Sequence, residues 1–580
     1  MADTNSPMNL NPNPEPQMNK RLMLAFLLMG AVLFLTPYFY KAVMPPAPVK
    51  HPAAASTAAK PAPAQEDKAP EVAAPAPTPA EKSQPAPAAT AAEKEDLFTV
   101  DTKLYKVVMS NQGAVVRSWI LKKYKDGAGR PLQLVSPAGA AKAGYPLSLE
   151  FLKAKPSVDV NQVLYTAHPD QDGLGISYQY SDGTVAVEKK LRFDPDSYLS
   201  QVSAQVSQGG VGLPNLVVWR GGFGDASVQN ANTRQRTLFY DTASGKLVTK
   251  DAKAAKNGPV SDYGSYQFAG IEDTYFAAVF LPRGETSFEV VTFSDNVPTG
   301  ADKAEQAYAG AAVGGAAHNQ FALFAGPKDL DILRRVDPRL EQMVDFGRWF
   351  GFIAKPLFLV VNWINDHMTR NYGWAIVVVT ILINFALLPM RLTSMKSMKK
   401  MQALQPQIAT INAKYKNVGL RDPRKADQNA EVMELYKKHG VNPMGGCLPM
   451  VLQLPVFIAF YSVLQVAIEM RAAQWLWVTD LSQPEHLPIR ILPLAMVVAQ
   501  FLMQKMTPNP SADPNQQKMM MMMPLIFGFM FYSASSGLVL YWLTSNLVGI
   551  AQQWFINKSM PAAPSQQPLA VAKKGSGSKR

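Results

Sequence analysis

The sequence predicts a polytopic α-helical membrane protein with six transmembrane helices and an all-β domain between the first helix and the second. Three observations support this fold class. Long apolar runs lie near the N-terminus and again after residue 350, the segment between them is polar with short alternating runs, and positive charge flanks the apolar runs. A chain of 580 residues is long enough for two or three domains.

The first apolar run, residues 22–40, contains no charged side chain and is preceded by Lys20 and Arg21. About 20 apolar residues cross the ~30 Å hydrocarbon core of a bilayer. A cleaved signal peptide is the rival interpretation, but the end of the run, TPYFY, offers no small-residue cleavage site. We therefore expect an uncleaved anchor at 22–40 that follows a cytoplasmic N-terminus, residues 1–21.

Two segments of different character follow the anchor. Residues 41–96 are dominated by Pro, Ala, Lys and Glu, a composition that favours an extended periplasmic linker over a packed core. Over residues 97–335, alternating runs such as LYKVVMS and TVAVEKKLRF are separated by turn residues, which predicts an antiparallel β-sandwich. Its histidines are only His168 and His318, and no nucleophile or paired-carboxylate motif occurs. We expect a periplasmic scaffold or docking domain rather than an enzyme.

Residues 336–371 connect this domain to the next apolar run. They predict an amphipathic helix that lies in the outer membrane interface, where aromatic side chains are favoured. The aromatic residues that suggest this position are Trp349, Phe350, Phe352 and Trp363.

Five further spans are predicted after this helix. The last apolar run is too long for one crossing, and SASSG (Ser533–Gly537) divides it by a tight, uncharged turn. The predicted spans are 372–390, 446–468, 488–504, 519–533 and 537–556.

The distribution of lysine and arginine orients the spans. The loop 391–445 holds eleven Lys and Arg against four Asp and Glu, so the positive-inside rule places it in the cytoplasm. The loop 469–487 holds one basic residue and is predicted to be periplasmic. Residues 505–518 and the basic tail 557–580 then return to the cytoplasm. Topology and lipid contact account for the net charge of +13, so we expect no DNA ligand.

The cysteine count limits the chemistry of the protein. The single Cys447 excludes a disulfide framework and a multi-cysteine metal site. It begins an apolar run, which predicts a buried structural thiol, and no ATP-binding loop is visible. We expect no cofactor and no bound metal.

Polar side chains recur at one depth of the predicted helices. Asn384 and Gln453 each lie seven residues, roughly 10 Å, inside a cytoplasmic boundary. Gln500 lies near the inner end of its span, Asn546 lies near the middle of the last span, and Thr380 shares a helical face with Asn384. Amides in lipid are costly unless paired or hydrated, so this set predicts a hydrophilic pocket open to the cytoplasm. The alternative is that the amides only join helix to helix.

Other functions would need other patterns. A solute channel or transporter, the leading alternative, needs polar groups through the full membrane thickness. No Asp, Glu, Lys or Arg occupies the middle of a predicted span, and outer halves such as WAIVVV are apolar. The sequence therefore favours a pocket that stops halfway. A membrane-anchored periplasmic carbohydrate-active enzyme is a further alternative, but it leaves the later helices unexplained.

Two long motifs, NPMGGCLPMVLQLPVFIAFY (Asn442–Tyr461) and SGLVLYWLTSNLVGIAQQ (Ser536–Gln553), resemble the YidC/Oxa/Alb family of membrane protein insertases. LQPQI in the basic loop and DPNQQKMM before the fifth span add to the resemblance, which covers almost the whole chain. It implies the Gram-negative type: an inner-membrane protein with an N-terminal anchor, a periplasmic β-supersandwich and a five-helix insertase core.

The resemblance also implies a hydrophilic groove and an adjoining apolar slide for the substrate. By resemblance the groove would carry Asn384, Thr380, Gln453, Tyr541 and Trp542, and the slide would carry Leu454, Pro455, Phe457, Phe527 and Phe531. Their depth adds Gln500 and Asn546 to the predicted groove. Trp542 stands where the family commonly has a second tyrosine. Asn384 takes the place of the family's usual groove arginine, so an amide replaces a positive charge.

The function implied by the resemblance is insertion and folding of nascent membrane proteins, alone or with a Sec translocon. No enzymatic step is expected. The basic loop predicts two helices separated by NVGLRDP, and with the tail it would meet the ribosome and the signal recognition particle or its receptor. Membrane lipids are the remaining expected partner.

Overall fold

The computed structural model describes residues 89–225, 235–284, 286–299, 304–347, 350–415, 422, 424–441, 448–507 and 514–559. The predicted anchor at 22–40, most of the linker, Trp349, Cys447 and the tail from residue 560 onward lie outside these residues. All described residues belong to one compact unit, Pro79–Arg580.

The first half of the described chain is built from β-strands, with one short helix, α1 (Pro137–Ala143), between β4 and β5. The strands are β1 Leu97–Asp101, β2 Tyr105–Ser110, β3 Val115–Lys125, β4 Pro131–Gln133, β5 Leu149–Glu150, β6 Thr166–Pro169, β7 Gly175–Ser181, β8 Val185–Phe193, β9 Leu199–Gln208, β10 Val211–Gly212, β11 Leu216–Trp219, β12 Arg236–Asp241, β13 Lys246–Asp251, β14 Val260–Glu272, β15 Phe276–Pro282, β16 Ser287–Thr299, β17 Ala304–Gly314 and β18 His318–Pro327.

The strands form a small sheet of order β1-β2-β3-β4 and a large one of order β5-β11-β17-β16-β14-β15-β18-β9-β8-β7-β6. The long strand β14 joins two parts of the large sheet, because its first half pairs with β16 and its second half pairs with β15. Both pairings, like the hairpin of β8 and β9, are antiparallel. The predicted antiparallel β-sandwich is thus confirmed.

The alternation in the sequence determines which face of a strand is buried. In β8, the side chains of Val185, Val187, Leu191 and Phe193 are buried, and their neighbours are more exposed. Hydrophobic residues at every second position place one face of a strand against the core. A short period-2 signal was therefore sufficient to identify this strand.

Lys189 occupies the one remaining inward position of β8 and is also buried. Its ammonium donates to the carbonyl oxygens of Gly113 at 2.8 Å, Leu147 at 2.9 Å and Ala114 at 3.3 Å. Burial lowers the pKa of Lys189 to about 7. The Lys189 side chain therefore joins β8 to the loop between β2 and β3. A charged residue in a strand is usually exposed, so the sequence did not predict this buried contact.

The second half of the described chain is helical. Its α-helices are α2 Leu330–Val336, α3 Gly351–Ile364, α4 Tyr372–Ala386, α5 Leu388–Ala403, α6 Gln405–Lys414, α7 Arg424–Lys438, α8 Leu448–Val466, α9 Ile491–Met506, α10 Pro514–Phe531 and α11 Ser536–Ser559. Short 3₁₀ turns lie at Ala252–Ala255, Pro338–Met343 and Ile468–Met470, and a π-turn extends α3 at Asn365–Thr369. Helix α11 packs against α4 and α9, α10 packs against α9, and α8 packs against α3.

Within the described residues, no single helix is both long and apolar enough to cross a membrane. Helices α4 and α5 meet that criterion together, but they are bent by 56° at their junction. The predicted straight helix over 372–390 therefore ends earlier, at Ala386. Pro389 lies in the first turn of α5 and lacks a backbone N–H, which explains why the helix breaks there.

The basic segment 391–445 forms three helical pieces where two helices were predicted. Pro406 lies in the first turn of α6, and the chain breaks before it at Leu404. Helices α6 and α7 then pack against each other. The Gln428 side chain on α7 donates to the Asn412 side chain on α6, and Lys414 forms an ion pair with Glu431. An apolar cluster at the base consists of Met401, Leu404, Ile408 and Val441.

Helix α3 lies where an interfacial helix was predicted. Ala354, Phe358 and Val361 are buried against the rest of the protein. Its other face is also apolar and is exposed, including Phe352 and Trp363. A helix with two apolar faces is suited to contact both protein and lipid.

The β-domain is joined to the helices by Arg471, the one basic residue of the segment 469–487. Its guanidinium pairs with Asp225 and donates to the carbonyl oxygen of Lys125. It also lies 5.5 Å from the ring centroid of Tyr275 and 5.6 Å from that of Phe276. Both charged side chains are almost fully buried, so this ion pair is shielded from water.

We predict that Arg471→Leu destabilises the protein by about 3–5 kcal/mol, because it leaves the Asp225 carboxylate buried without a cation. Arg471→Lys should be less harmful, since the charge is kept. Denaturant unfolding followed by tryptophan fluorescence measures the effect. The double variant Arg471→Leu/Asp225→Leu should lose less stability than the sum of the single variants, and strict additivity would contradict the pairing.

Candidate functional site

A cavity of about 400 Å³ lies among α4, α5, α8, α9, α10 and α11. Methionines and aromatic rings form part of its wall. Its polar lining residues are Asn384, Arg391, Ser394, Gln453, Gln500, Gln504, Thr507, Tyr541, Ser545, Asn546 and Gln553. Six residues predicted for a hydrophilic groove thus reach one cavity, namely Asn384, Gln453, Gln500, Tyr541, Trp542 and Asn546.

Asn384 is 5% exposed and lies near the end of α4, just before the bend. Its side-chain amide donates to the Thr380 carbonyl oxygen at 2.8 Å and to the Ser545 hydroxyl at 3.3 Å. The Gln552 side chain donates to the Asn384 backbone carbonyl at 3.2 Å. The amide therefore fastens α4 to α11 at the cavity wall.

Gln453 on α8 and Tyr541 on α11 form a second polar contact across the cavity. The Gln453 side-chain amide donates to the Tyr541 hydroxyl. The ring of Tyr541 is stacked on Phe460, with centroids 4.4 Å apart and an interplanar angle of 20°. The apolar face of the tyrosine is thus packed in the helix interface, and its hydroxyl is presented to the cavity.

Two lining residues carry buried polar atoms without a hydrogen-bond partner among the described residues. They are Oε1 of Gln500 and Nδ2 of Asn546. An unpaired buried polar atom costs about 1–3 kcal/mol, and native proteins usually satisfy such atoms with protein groups or water. Since both atoms belong to residues that line the cavity, the arrangement fits a cavity that contains water.

The cavity ends below a fully packed layer of α4 and α11. Ile376 and Val379 of α4 are buried, as are Leu538 and Val539 of α11. Farther along, the Trp475 ring lies against Gly373 so closely that a Cβ there would be 2.2 Å from its Cδ1. The described residues therefore close this end, and the lining of the cavity extends to α5, which supplies Arg391 and Ser394.

Thr380 was predicted to line the groove, but the structure places it within the packed layer. It is fully buried and does not line the cavity. Its hydroxyl donates to the Ile376 carbonyl oxygen at 2.6 Å, one turn earlier in the same helix. The backbone of α4 therefore satisfies this hydroxyl. Thr380 is linked to a residue of the cavity wall because its carbonyl oxygen accepts the hydrogen bond from the Asn384 amide.

Three of the predicted slide residues form an aromatic cluster beside the cavity. Phe457 lies 4.9 Å from Trp542 and 5.9 Å from Phe531, measured between ring centroids. Phe527 lies 5.6 Å from Trp542. Phe531 is buried, Phe457 and Phe527 are half-buried, and the rings join α8, α10 and α11.

The other two slide residues, Leu454 and Pro455, lie on α8. Leu454 is exposed, and Pro455 lies inside the helix and is half-buried. Together with the aromatic cluster, they form an apolar surface next to the polar cavity.

Sequence reasoning missed two features of the site. Arg391 lines the cavity, although it was not predicted as a groove residue, and its helical face shared with Asn384 was the available signal. Helix α10 presents a continuous exposed apolar face, with Phe529 90% exposed. The apolar residues of this face recur at i, i+4 spacing, and this spacing was the signal in the sequence that could have identified the face. The exposed face comprises Met521, Met522, Leu525, Ile526, Phe529 and Met530.

The β-domain has a smaller candidate site. A cavity of about 370 Å³ is lined by Arg283, His318 and Asn319 among others. His318 contacts Ser203 and Gln320 through its ring Nε2, at 3.0 and 3.1 Å. Over the described residues, no group of three His, Cys, Asp or Glu side chains is positioned to hold a metal ion.

We predict that Asn384 and Gln500 respond differently to apolar substitution. Asn384→Leu should reduce stability by about 1–3 kcal/mol, because it leaves the Ser545 hydroxyl without its partner. Gln500→Met should change stability by less than about 1 kcal/mol, since it removes an acceptor that has no protein donor. Denaturant unfolding measures the free energy of unfolding of both variants. A larger loss of stability for Gln500→Met than for Asn384→Leu would contradict the prediction.

Comparison with known proteins covers both halves of the chain. A family model for the YidC periplasmic domain matches residues 97–360, and one for the 60Kd inner membrane protein matches residues 363–563. The chain is 34% identical to the membrane protein insertase YidC of Syntrophus aciditrophicus, over 93% of this chain and 100% of that protein. It is 37% identical to the YidC of Geobacter sp. strain M21, over 80% of this chain and 85% of that one.

A solved structure, described as an active YidC insertase with the first transmembrane domain resolved, covers 80% of this chain and 94% of its own. The two are 19% identical, with a TM-score of 0.35. The identity and length of the sequence matches, rather than this structural overlap, decide the assignment. This chain belongs to the YidC family of membrane protein insertases.

Proposed function

We propose that this protein inserts nascent proteins into the inner membrane and assists their folding, without an enzymatic step. The observation that carries this function is the cavity, which is polar at one end and closed by packed apolar residues at the other. A solute channel would need a continuous path, which such a closed end interrupts. Membership of the insertase family supports the same function.

The proposed topology has six transmembrane helices and places both termini in the cytoplasm. The anchor at 22–40 comes first, followed by the bent pair α4–α5 and then α8, α9, α10 and α11. The excess of Lys and Arg over 391–445 supports a cytoplasmic location for the part of the cavity that α5 lines. Residues 41–371 would then be mostly periplasmic, with α3 in the outer interface.

The cavity would shorten the distance that a polar client segment must cross in lipid. A hydrophilic tail or loop would enter from the cytoplasm. Its polar groups would replace hydrogen bonds to bulk water by hydrogen bonds to the polar lining of the cavity, which includes Asn384, Gln453 and Gln500. Polar groups transferred to an apolar medium without partners incur a large penalty, and hydrated amides reduce it. Only the packed layer above the cavity then remains to be crossed.

The apolar part of the client would leave along α8 and α10. Leu454 on α8 and Leu525 and Phe529 on α10 present exposed apolar side chains. Burial in lipid contributes about 25 cal/mol per Å² of apolar surface removed from water. The driving force would therefore come from the client itself, which is consistent with the absence of an ATP-binding loop from the sequence.

The partners that we propose are nascent membrane proteins, membrane lipids and, for some clients, a Sec translocon. The basic helices α5, α6 and α7 and the tail would contact the ribosome and the signal recognition particle or its receptor. Exposed lysines such as Lys400, Lys414 and Lys438 support an electrostatic contact with anionic surfaces.

The proposed function is tested by reconstituting the purified protein into liposomes and adding single-span clients synthesised in vitro. Protease protection of the translocated tail reports insertion. We expect insertion to depend on the protein and to proceed without added nucleotide once synthesis is complete. Equal protection in liposomes without the protein would contradict the function.

Within this assay we predict that Asn384→Leu impairs insertion more than Asn384→Arg. Leucine removes a polar side chain from the wall of the cavity, whereas arginine keeps that wall polar. Insertion is normalised to the amount of folded protein, because Asn384→Leu also lowers stability. Equal activity of the two variants would contradict the role of a hydrated pocket.

A further inference from the structure

Among the described residues, the cavity is lined by one guanidinium, which belongs to Arg391 in the first turn of α5. It donates to the Gln552 side-chain oxygen at 2.9 Å and lies 3.6 Å from the Met503 sulfur, a weak acceptor. No carboxylate of the described residues lies within ion-pairing distance of it. An arginine carries five N–H donors, so at least three are left without an acceptor in the described part of the chain.

A glycine makes room for this side chain. A Cβ at Gly549 would lie 2.8 Å from Arg391 Nη2 and 2.6 Å from the Met503 sulfur. Glycine inside a helix costs about 1 kcal/mol relative to alanine, and Gly549 lies within α11. The Arg391 guanidinium occupies the space that a side chain at position 549 would fill. This packing explains why a glycine is present inside the helix.

The bend between α4 and α5 brings the charge to this place. Arg391 lies seven residues after Asn384, so the two share one side of the chain across the junction. The backbone N–H of Arg391 bonds to the Leu387 carbonyl at 3.1 Å, which continues the helix directly after the break. The guanidinium therefore belongs to the part of the cavity that α5 lines, whereas the Asn384 amide belongs to the part lined by α4.

We propose that Arg391 binds a carboxylate of the incoming client at the cytoplasmic end of the groove. This inference rests on the proposed insertase function and assigns the site a preference for client tails that carry Asp or Glu. Asn384 supplies no charge, so the attraction for acidic tails comes from Arg391 two helical turns later. Gly549 is a positioning residue, because it holds the space in which the guanidinium lies.

The surroundings favour a client carboxylate over a lipid phosphate. Gln552 on α11 and Met503 on α9 hold the guanidinium on the inner side of the helices, where the cavity lies. An unpaired cation that is half-buried also attracts an anion more strongly than one in bulk water does, since screening is weaker. A carboxylate accepts two parallel hydrogen bonds from the planar fork of arginine, as a phosphate also does, so the position inside the helices is what favours the client carboxylate.

The test uses two single-span clients whose translocated tails differ only by one Asp-to-Asn exchange. The readout is the ratio of acidic to neutral client inserted into liposomes of one composition. Arg391→Gln should lower this ratio about tenfold, as expected for loss of a charge-assisted hydrogen bond. Gly549→Ala should lower it in the same direction, and Arg391→Lys should keep it closer to wild type.

The matched control is Arg130→Gln in the loop before β4, whose guanidinium pairs with Asp126 in the β-domain, away from the cavity. Its ratio should equal that of the wild type. Equal losses for both clients in Arg391→Gln would overturn the proposal, since that pattern indicates a lipid-phosphate contact or a purely structural brace. Failure of the wild type to insert either client would instead refute the proposed function.

Discussion

The functional end of this molecule depends on one constraint, namely that a buried polar atom needs a partner. The helices around the cavity are apolar on most faces, yet α4, α8, α9 and α11 each bring an amide to the same place. Some of these amides are satisfied by protein, as Asn384 is by Thr380 and Ser545. Gln500 and Asn546 retain atoms without such partners in the described chain, and water in the cavity is what would satisfy them.

The same constraint explains how the closed end is built. Thr380 carries a hydroxyl into the packed layer, but its own helix backbone accepts the hydrogen bond, so no water is needed there. At the far end, the first backbone N–H groups of α11 donate to carbonyl oxygens of the loop between α8 and α9. Ser536 donates to Gln483 and Gly537 donates to Leu481, both at 2.8 Å. The loop that carries Arg471 thus caps α11 and also docks on the β-domain.

Much of the site could be predicted from local signals. The depth of Asn384, Gln453, Gln500 and Asn546 follows from counting residues along helices, and the structure brings all four to one cavity. Strands such as β2 and β8 of the β-domain followed from the alternation of their residues. The spacing from Asn384 indicates the side of the chain on which Arg391 lies, but its contact beside Gly549 and the break before Pro389 could not be predicted. Lys189 and Arg471 were equally hidden, since their partners lie far away in sequence.

The most direct test of this account is the water accessibility of the cavity in the membrane. After Cys447 is replaced by serine, single cysteines at positions 500, 546 and 376 are treated with a membrane-impermeant thiol reagent from the cytoplasmic side. The account predicts rapid labelling of Gln500→Cys and Asn546→Cys and none of Ile376→Cys. Unreactive thiols at 500 and 546, or labelling of 376 at the same rate, would contradict a water-filled groove that stops halfway.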